Sequence, residues 1–164
     1  MEQIIIVVGG SHGVGKTSLI DKHLQNGKKE NENIFEINSE TPEDSKFLIY
    51  NTDIFILIFK DCDGNSLFEI QEFLSVIENT KNTNSKYIIA LVSNSFYSEK
   101  EINKKYKNAF QSQINYLQSK RPNLKIIELN ILASKEDIIL SAIKAWKSFF
   151  SEKTKRKRKL CSLQ

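Results

Sequence analysis

The chain predicts an α/β fold, a three-layer arrangement with a mostly parallel five-stranded sheet and helices on both faces. Three observations predict it. Five apolar runs, at 3–8, 34–38, 53–59, 87–92 and 125–129, have the length and composition of strands. Helical periodicity lies between them, and strands alternating with helices imply a doubly wound parallel sheet. The third run, Ile54-Phe55-Ile56-Leu57-Ile58-Phe59, is apolar at every position, as a central strand covered on both faces must be.

Each helix has its own pattern. A helix over 16–25 follows the first strand, and His23 on it is expected to face solvent. Leu67, Ile70, Leu74 and Ile77 form one stripe; Ile102, Tyr106, Phe110, Ile114 and Leu117 form another; Ile139, Ile143, Trp146 and Phe150 form the last. The stripes are read as core. Capping-box spacing marks three starts: Ser66 with Glu69, Ser98 with Glu101, and Ser134 with Asp137 as an acidic variant.

The first strand runs directly into Gly10-Ser11-His12-Gly13-Val14-Gly15-Lys16-Thr17, which is G-x-x-x-x-G-K-[ST] with a strand before it and a helix after it. Glycines let the backbone wrap an anion with successive N–H groups pointing inward. Lys16 supplies a compact positive charge for β- and γ-phosphates, and Thr17 offers a hydroxyl to Mg²⁺. The following helix aims its positive end at the same place. Ligands of such sheets sit beyond the carboxyl ends of the strands, where this loop falls. His12 within it is read as solvent-facing.

The 164 residues, 40% hydrophobic and 27% charged, fit one globular domain at 1–152 followed by a tail at 153–164. No apolar run reaches membrane-spanning length. Met1-Glu2-Gln3 lacks the basic region of a secretory signal, and Glu2 stands where a myristoylation site needs glycine. Two cysteines, Cys62 and Cys161, are too few for a disulfide framework or a zinc site, and Cys62 is read as a loop or core residue.

The net charge of +4 conceals an asymmetry. The tail holds six of the 24 basic residues, which leaves 18 against 20 acidic ones, so the body is slightly acidic. An acidic body argues against a nucleic-acid partner. The run Lys153, Lys155, Arg156, Lys157, Arg158 and Lys159 suits an anionic membrane surface, at about 1 kcal/mol per residue. Cys161-Ser162-Leu163-Gln164 has the C-a-a-X form of a prenylation signal, and a terminal Gln favours farnesyl. A single lipid chain holds marginally and needs a second signal, which the basic run would supply. The expected location is the cytoplasmic face of a membrane.

The phosphate loop, the order of elements and the basic C-a-a-X tail together resemble the Ras-like small GTPases. The resemblance is strongest over 4–20 and fair over 50–61 and 87–94. It implies a Mg²⁺-dependent GTP/GDP switch acting on protein effectors in signalling or trafficking. It extends the nucleotide-binding segment from Gly10 through Ser18, and adds Asn94 and the backbone of Ile131 on the base side.

Much of the family pattern is altered. The switch segment and extra strand after the first helix have no counterpart, and no threonine occurs between Thr17 and Thr41. The D-x-x-G-Q signature maps onto Asn38-Ser39-Glu40-Thr41-Pro42. Asn38 stands where an aspartate joins the Mg²⁺ shell. Pro42 stands where a glutamine positions water, and proline has neither a suitable side chain nor an N–H. The N-K-x-D signature maps onto Asn94-Ser95-Phe96-Tyr97, where Tyr97 removes the acceptor for guanine donors. Guanine preference therefore rests on the resemblance alone.

Three readings follow. One is a Ras-like GTP-binding protein with slow hydrolysis, tethered to a membrane. Another is a pseudo-GTPase acting as a tethered protein-binding module. The last is another P-loop NTPase or kinase, although Arg121 is the sole arginine outside the tail to stabilise a transferred phosphoryl group.

Overall fold

Strand geometry sends successive side chains to opposite faces of a sheet, and the apolar strands use both faces. The computed structural model describes residues 3–27, 31–38, 45–61, 63–81, 85–94, 104–120, 124–129 and 136–148, with backbone alone for 104–110 and 124–129. The elements are β1 (Ile4–Gly10), α1 (Lys16–Gln25), β2 (Glu32–Asn38), α2 (Lys46–Asn51), β3 (Ile54–Lys60), α3 (Gly64–Thr80), β4 (Ile88–Asn94), α4 (Lys104–Lys120) and β5 (Leu124–Leu129). A further helix, α5, covers 138–148. The strands lie in the order β2-β1-β3-β4-β5. Every pairing is parallel, with Gly10 opposite both Asn38 and Ile58.

The alternation creates two cores. Phe55, Leu57 and Phe59 of β3 face one side, where they meet Ile49 of α2, Leu67, Ile70, Phe73, Leu74 and Ile77 of α3, and Ile114 and Leu117 of α4. Ile54, Ile56 and Ile58 face the other, against Leu19 of α1 and Ile138, Ile139, Ala142 and Ile143 of α5. Helices thus cover both faces, as the apolar β3 requires. Phe55, Phe59 and Phe73 are fully buried. Truncating any of them to Ala is expected to cost about 3–5 kcal/mol. Trp146 is partly buried against the second core. Among the described residues no helix is long and apolar enough to cross a membrane.

Several local expectations are corrected. Ser66 does not cap α3. Asp63 does, its Oδ1 accepting from the N–H groups of Asn65 and Ser66 at 3.1 and 3.3 Å. The Ser66 hydroxyl instead accepts from the N–H of Lys60 at 2.9 Å. Asp137, expected as the far end of a capping box, itself caps α5 by accepting from the N–H of Leu140 at 2.9 Å. An aspartate directly before a helix is the better cap because its short carboxylate reaches the third N–H of that helix. Ser98 and Ser134 lie outside the described residues.

Helix α2 has no counterpart among the expected elements; its six residues include the apolar run Phe47-Leu48-Ile49-Tyr50, which carries strand-like composition. Its end is held from the far end of α3. Lys81 Nζ donates to the carbonyls of Tyr50 and Thr52 at 2.7 and 2.5 Å, and lies over the rings of Phe55 and Tyr87. Burial pushes the Lys81 ammonium down to about 8, against the opposing pull of Asp53. Burial also pushes the Tyr87 phenol up, assisted by Glu78.

Candidate functional site

In a parallel sheet of this order the chain leaves β1 toward one edge and β3 toward the other. The crevice between them, at the carboxyl ends of the strands, is the preferred ligand position. The Gly10 to Thr17 loop begins there, at the end of β1. Gly10 has φ 153°, and a Cβ on it would lie 2.3 Å from the Ile58 carbonyl oxygen and 2.8 Å from Val14 Cγ2. Only glycine fits so close to β3.

The loop then turns into α1 at Gly15, whose φ of 100° is left-handed. No side chain caps α1, and its first turn contains no acidic residue. Its leading N–H groups and the positive end of its dipole are therefore presented to the loop's hollow. Val14 is fully buried in the second core and pins the loop at its midpoint. Asn94, at the end of β4, donates from Nδ2 to the Val14 carbonyl at 2.9 Å.

Lys16 folds back across the loop. Its Nζ donates to the carbonyls of Gly10 at 2.9 Å and Ser11 at 2.7 Å, and lies 3.8 Å from Glu36 Oε1. Thr17 Oγ1 donates to Glu36 Oε2 at 3.0 Å. The Ser11 hydroxyl donates to Glu69 Oε2 of α3. His12, Thr17 and Ser18 are exposed, so His12 faces solvent as expected.

The expected site residues Gly10, Ser11, His12, Gly13, Val14, Gly15, Lys16, Thr17 and Ser18 thus form one loop and helix start, and Asn94 braces it. Asn38 pairs with Gly10 at the strand ends beside the loop. Ser39, Glu40, Thr41, Pro42, Cys62, Tyr97, Ile131, Cys161 and the basic run lie outside the described residues. Glu36 and Glu69 join the site without having been expected there. Glu36 is legible in part, since residues two apart on a strand share a face and Asn38 is already a candidate.

Among the described residues no group of three His, Cys, Asp or Glu side chains is placed to hold a metal ion. A Mg²⁺ site does not need one, since this ion keeps several waters and uses one or two protein oxygens with substrate phosphates. The Thr17 hydroxyl and Glu36 carboxylate are hard oxygen donors in contact with one another beside Lys16, which fits such an ion.

A second polar cluster lies at the opposite end of the sheet. His23, expected in solvent, is 4% exposed. Its Nε2 is 2.9 Å from Glu32 Oε2, and its Nδ1 is 2.9 Å from Asp137 Oδ2. Asn26 Nδ2 also donates to Asp137 at 3.3 Å. Burial pushes the Asp137 carboxyl up, but the donors Leu140, His23 and Asn26 outweigh it and hold the group below its ordinary value. Glu32 starts β2 opposite Ile4, so this cluster is remote from the loop. It joins α1, β2 and α5.

No protein-family model matches the chain, and no curated protein matches its sequence.

Proposed function

We propose that the chain is a Ras-like, P-loop nucleotide-binding protein that holds a guanosine di- or triphosphate at Gly10 to Ser18 and hydrolyses it slowly. The observation that carries this reading is the uncapped N-terminus of α1 beside Lys16 at the crevice between β1 and β3. Fixed N–H dipoles and one ammonium suit a phosphate chain. Lys16 Nζ would exchange the Gly10 and Ser11 carbonyls for phosphate oxygens. Thr17, with Glu36 against its hydroxyl, is the group that would hold Mg²⁺. That ion, when bound, would neutralise phosphate charge.

Slow turnover follows from residue identity. Pro42 cannot orient water, and intrinsic hydrolysis in such sites is slow even with a glutamine there. Nucleotide released from the purified protein by denaturation tests the reading. GTP or GDP is expected, and ATP or ADP favours a kinase-like P-loop enzyme. Single-turnover hydrolysis at an ordinary family rate would overturn the slow turnover and leave the binding intact.

A second reading, a pseudo-GTPase working as a protein-binding module, is favoured by a separate observation. Phe47 and Tyr50 of α2 and Phe68 of α3 are exposed aromatic side chains on adjacent elements, with Phe47 at 86% exposure. Exposed aromatics of this kind suit a protein partner. Absence of any extracted nucleotide, with Phe47→Ala abolishing partner capture, supports it.

A further inference from the structure

We propose that Glu36, not Asn38, is the carboxylate that organises the metal at the phosphate loop. The inference rests on the nucleotide-binding reading above and deepens it.

The sequence places the residue of the expected metal shell at Asn38, whose amide carries no charge. A divalent ion beside a polyphosphate is held by negative protein oxygens or by groups these orient. Ile34 of β2 packs into the second core and Ile37 into the first, so Ile34, Glu36 and Asn38 share the face toward α1. Glu36 therefore stands one pleat behind Asn38 on that same face. Its longer side chain reaches forward, and Oε2 takes the Thr17 hydroxyl proton at 3.0 Å. A hydroxyl that donates its proton to a carboxylate keeps its oxygen lone pairs for a cation, and the carboxylate fixes the direction in which they point. The other oxygen, Oε1, lies 3.8 Å from Lys16 Nζ. One carboxylate thus touches both the phosphate-binding ammonium and the metal-binding hydroxyl. The Glu36 side chain is 39% exposed, so a water shell around the ion has access to it.

The role assigned is that of a positioning residue acting through Thr17. Substituting Glu36→Gln keeps shape and an acceptor for Thr17 while removing the charge. The experiment follows release of a fluorescent GDP from the full chain as Mg²⁺ is titrated, with EDTA as the metal-free limit. Wild type should release nucleotide more slowly as Mg²⁺ rises. In E36Q, with release measured against the variant's own EDTA rate, the Mg²⁺ concentration giving half the effect should rise about 10- to 100-fold, and the melting temperature shows that the variant is folded.

An unchanged Mg²⁺ midpoint in E36Q overturns the proposal. An equal acceleration of release in EDTA also overturns it, because Glu36 then serves the phosphate cradle. If wild type binds GDP but is insensitive to Mg²⁺, the proposal fails while the nucleotide reading stands. If wild type binds neither fluorescent GDP nor fluorescent ATP under any condition, both fall together.

Discussion

Asn94 and Val14 are joined by a buried hydrogen bond of 2.9 Å from the Asn94 side-chain amide to the Val14 carbonyl, across 80 residues of sequence. The bond fastens the middle of the Gly10 to Thr17 loop to the end of β4. The same Asn94 accepts from the N–H of Asp61 at 3.0 Å through its own carbonyl, so the ends of β3 and β4 are drawn to the loop together. Asn94→Ala leaves a buried carbonyl unsatisfied. The expected loss is about 1–3 kcal/mol in urea unfolding, accompanied by weaker nucleotide binding. Unchanged binding would show that the loop holds its shape without this brace.

Gly10→Ala tests the close approach of β1 to β3. The new Cβ would meet a backbone oxygen at 2.3 Å, and backbone cannot rotate away as a side chain can. A destabilisation of about 1–3 kcal/mol is expected from overpacking, read as a lowered denaturation midpoint. Gly13→Ala provides the contrast, since nothing lies within 4 Å of a Cβ there and its φ of 73° is the only obstacle.

His23→Ala removes the group between Glu32 and Asp137 and leaves two carboxylates in a buried corner. Breaking a buried charged cluster by removing one member costs about 3–5 kcal/mol. The remote position of the cluster makes a second expectation: at temperatures where the variant is folded, its nucleotide affinity equals that of wild type. Equilibrium unfolding and fluorescent nucleotide titration read the two separately.

Lys81 gives the stability a pH dependence. Its ammonium is lowered from 10.5 to about 8 in the folded state. Between those values the unfolded chain binds the proton that the folded chain has released, so this group makes stability rise with pH across that window. Tyr87 acts in the same sense above its ordinary value of 10.0 only if its folded phenol lost protons first; it keeps them instead, so its contribution falls as pH rises there. Urea melts from pH 8 to pH 10 should therefore show wild type gaining stability, and Lys81→Met should lack that gain. A gain of equal size in the variant would assign the effect elsewhere.

The basic run at 153–159 is expected to draw the chain to anionic vesicles. Replacing its lysines and arginines with glutamine should reduce co-sedimentation, and high salt should mimic the replacement because exposed charges are screened within about 3 Å at 1 M salt. Salt-independent binding would point to an apolar attachment.

Features that depend on neighbours in the chain are legible in the sequence. The doubly apolar run of β3 and the spacing of Gly10, Gly15 and Lys16 are local patterns, so the parallel sheet and the tight loop between β1 and α1 can be read from them. The burial of His23 cannot, because its partners are 9 and 114 residues away. Its own helix offers no hint that two acids converge on it. Glu36 is legible only through the strand face it shares with Asn38, its partner Thr17 being 19 residues away on another element. Helix α2 is silent because six residues complete fewer than two turns and show no period.

The corner built by His23, Glu32 and Asp137 has a consequence for how the molecule comes into being. Two of its three members belong to the first 32 residues, and the third is the cap of α5. A growing polypeptide leaves the ribosome from its N-terminus, and closing a long loop carries an entropic cost. Through most of synthesis, α1 and the start of β2 therefore wait with an imidazole and a carboxylate lacking the acid that completes them. Release of Asp137 lets one residue start α5 and lock α1.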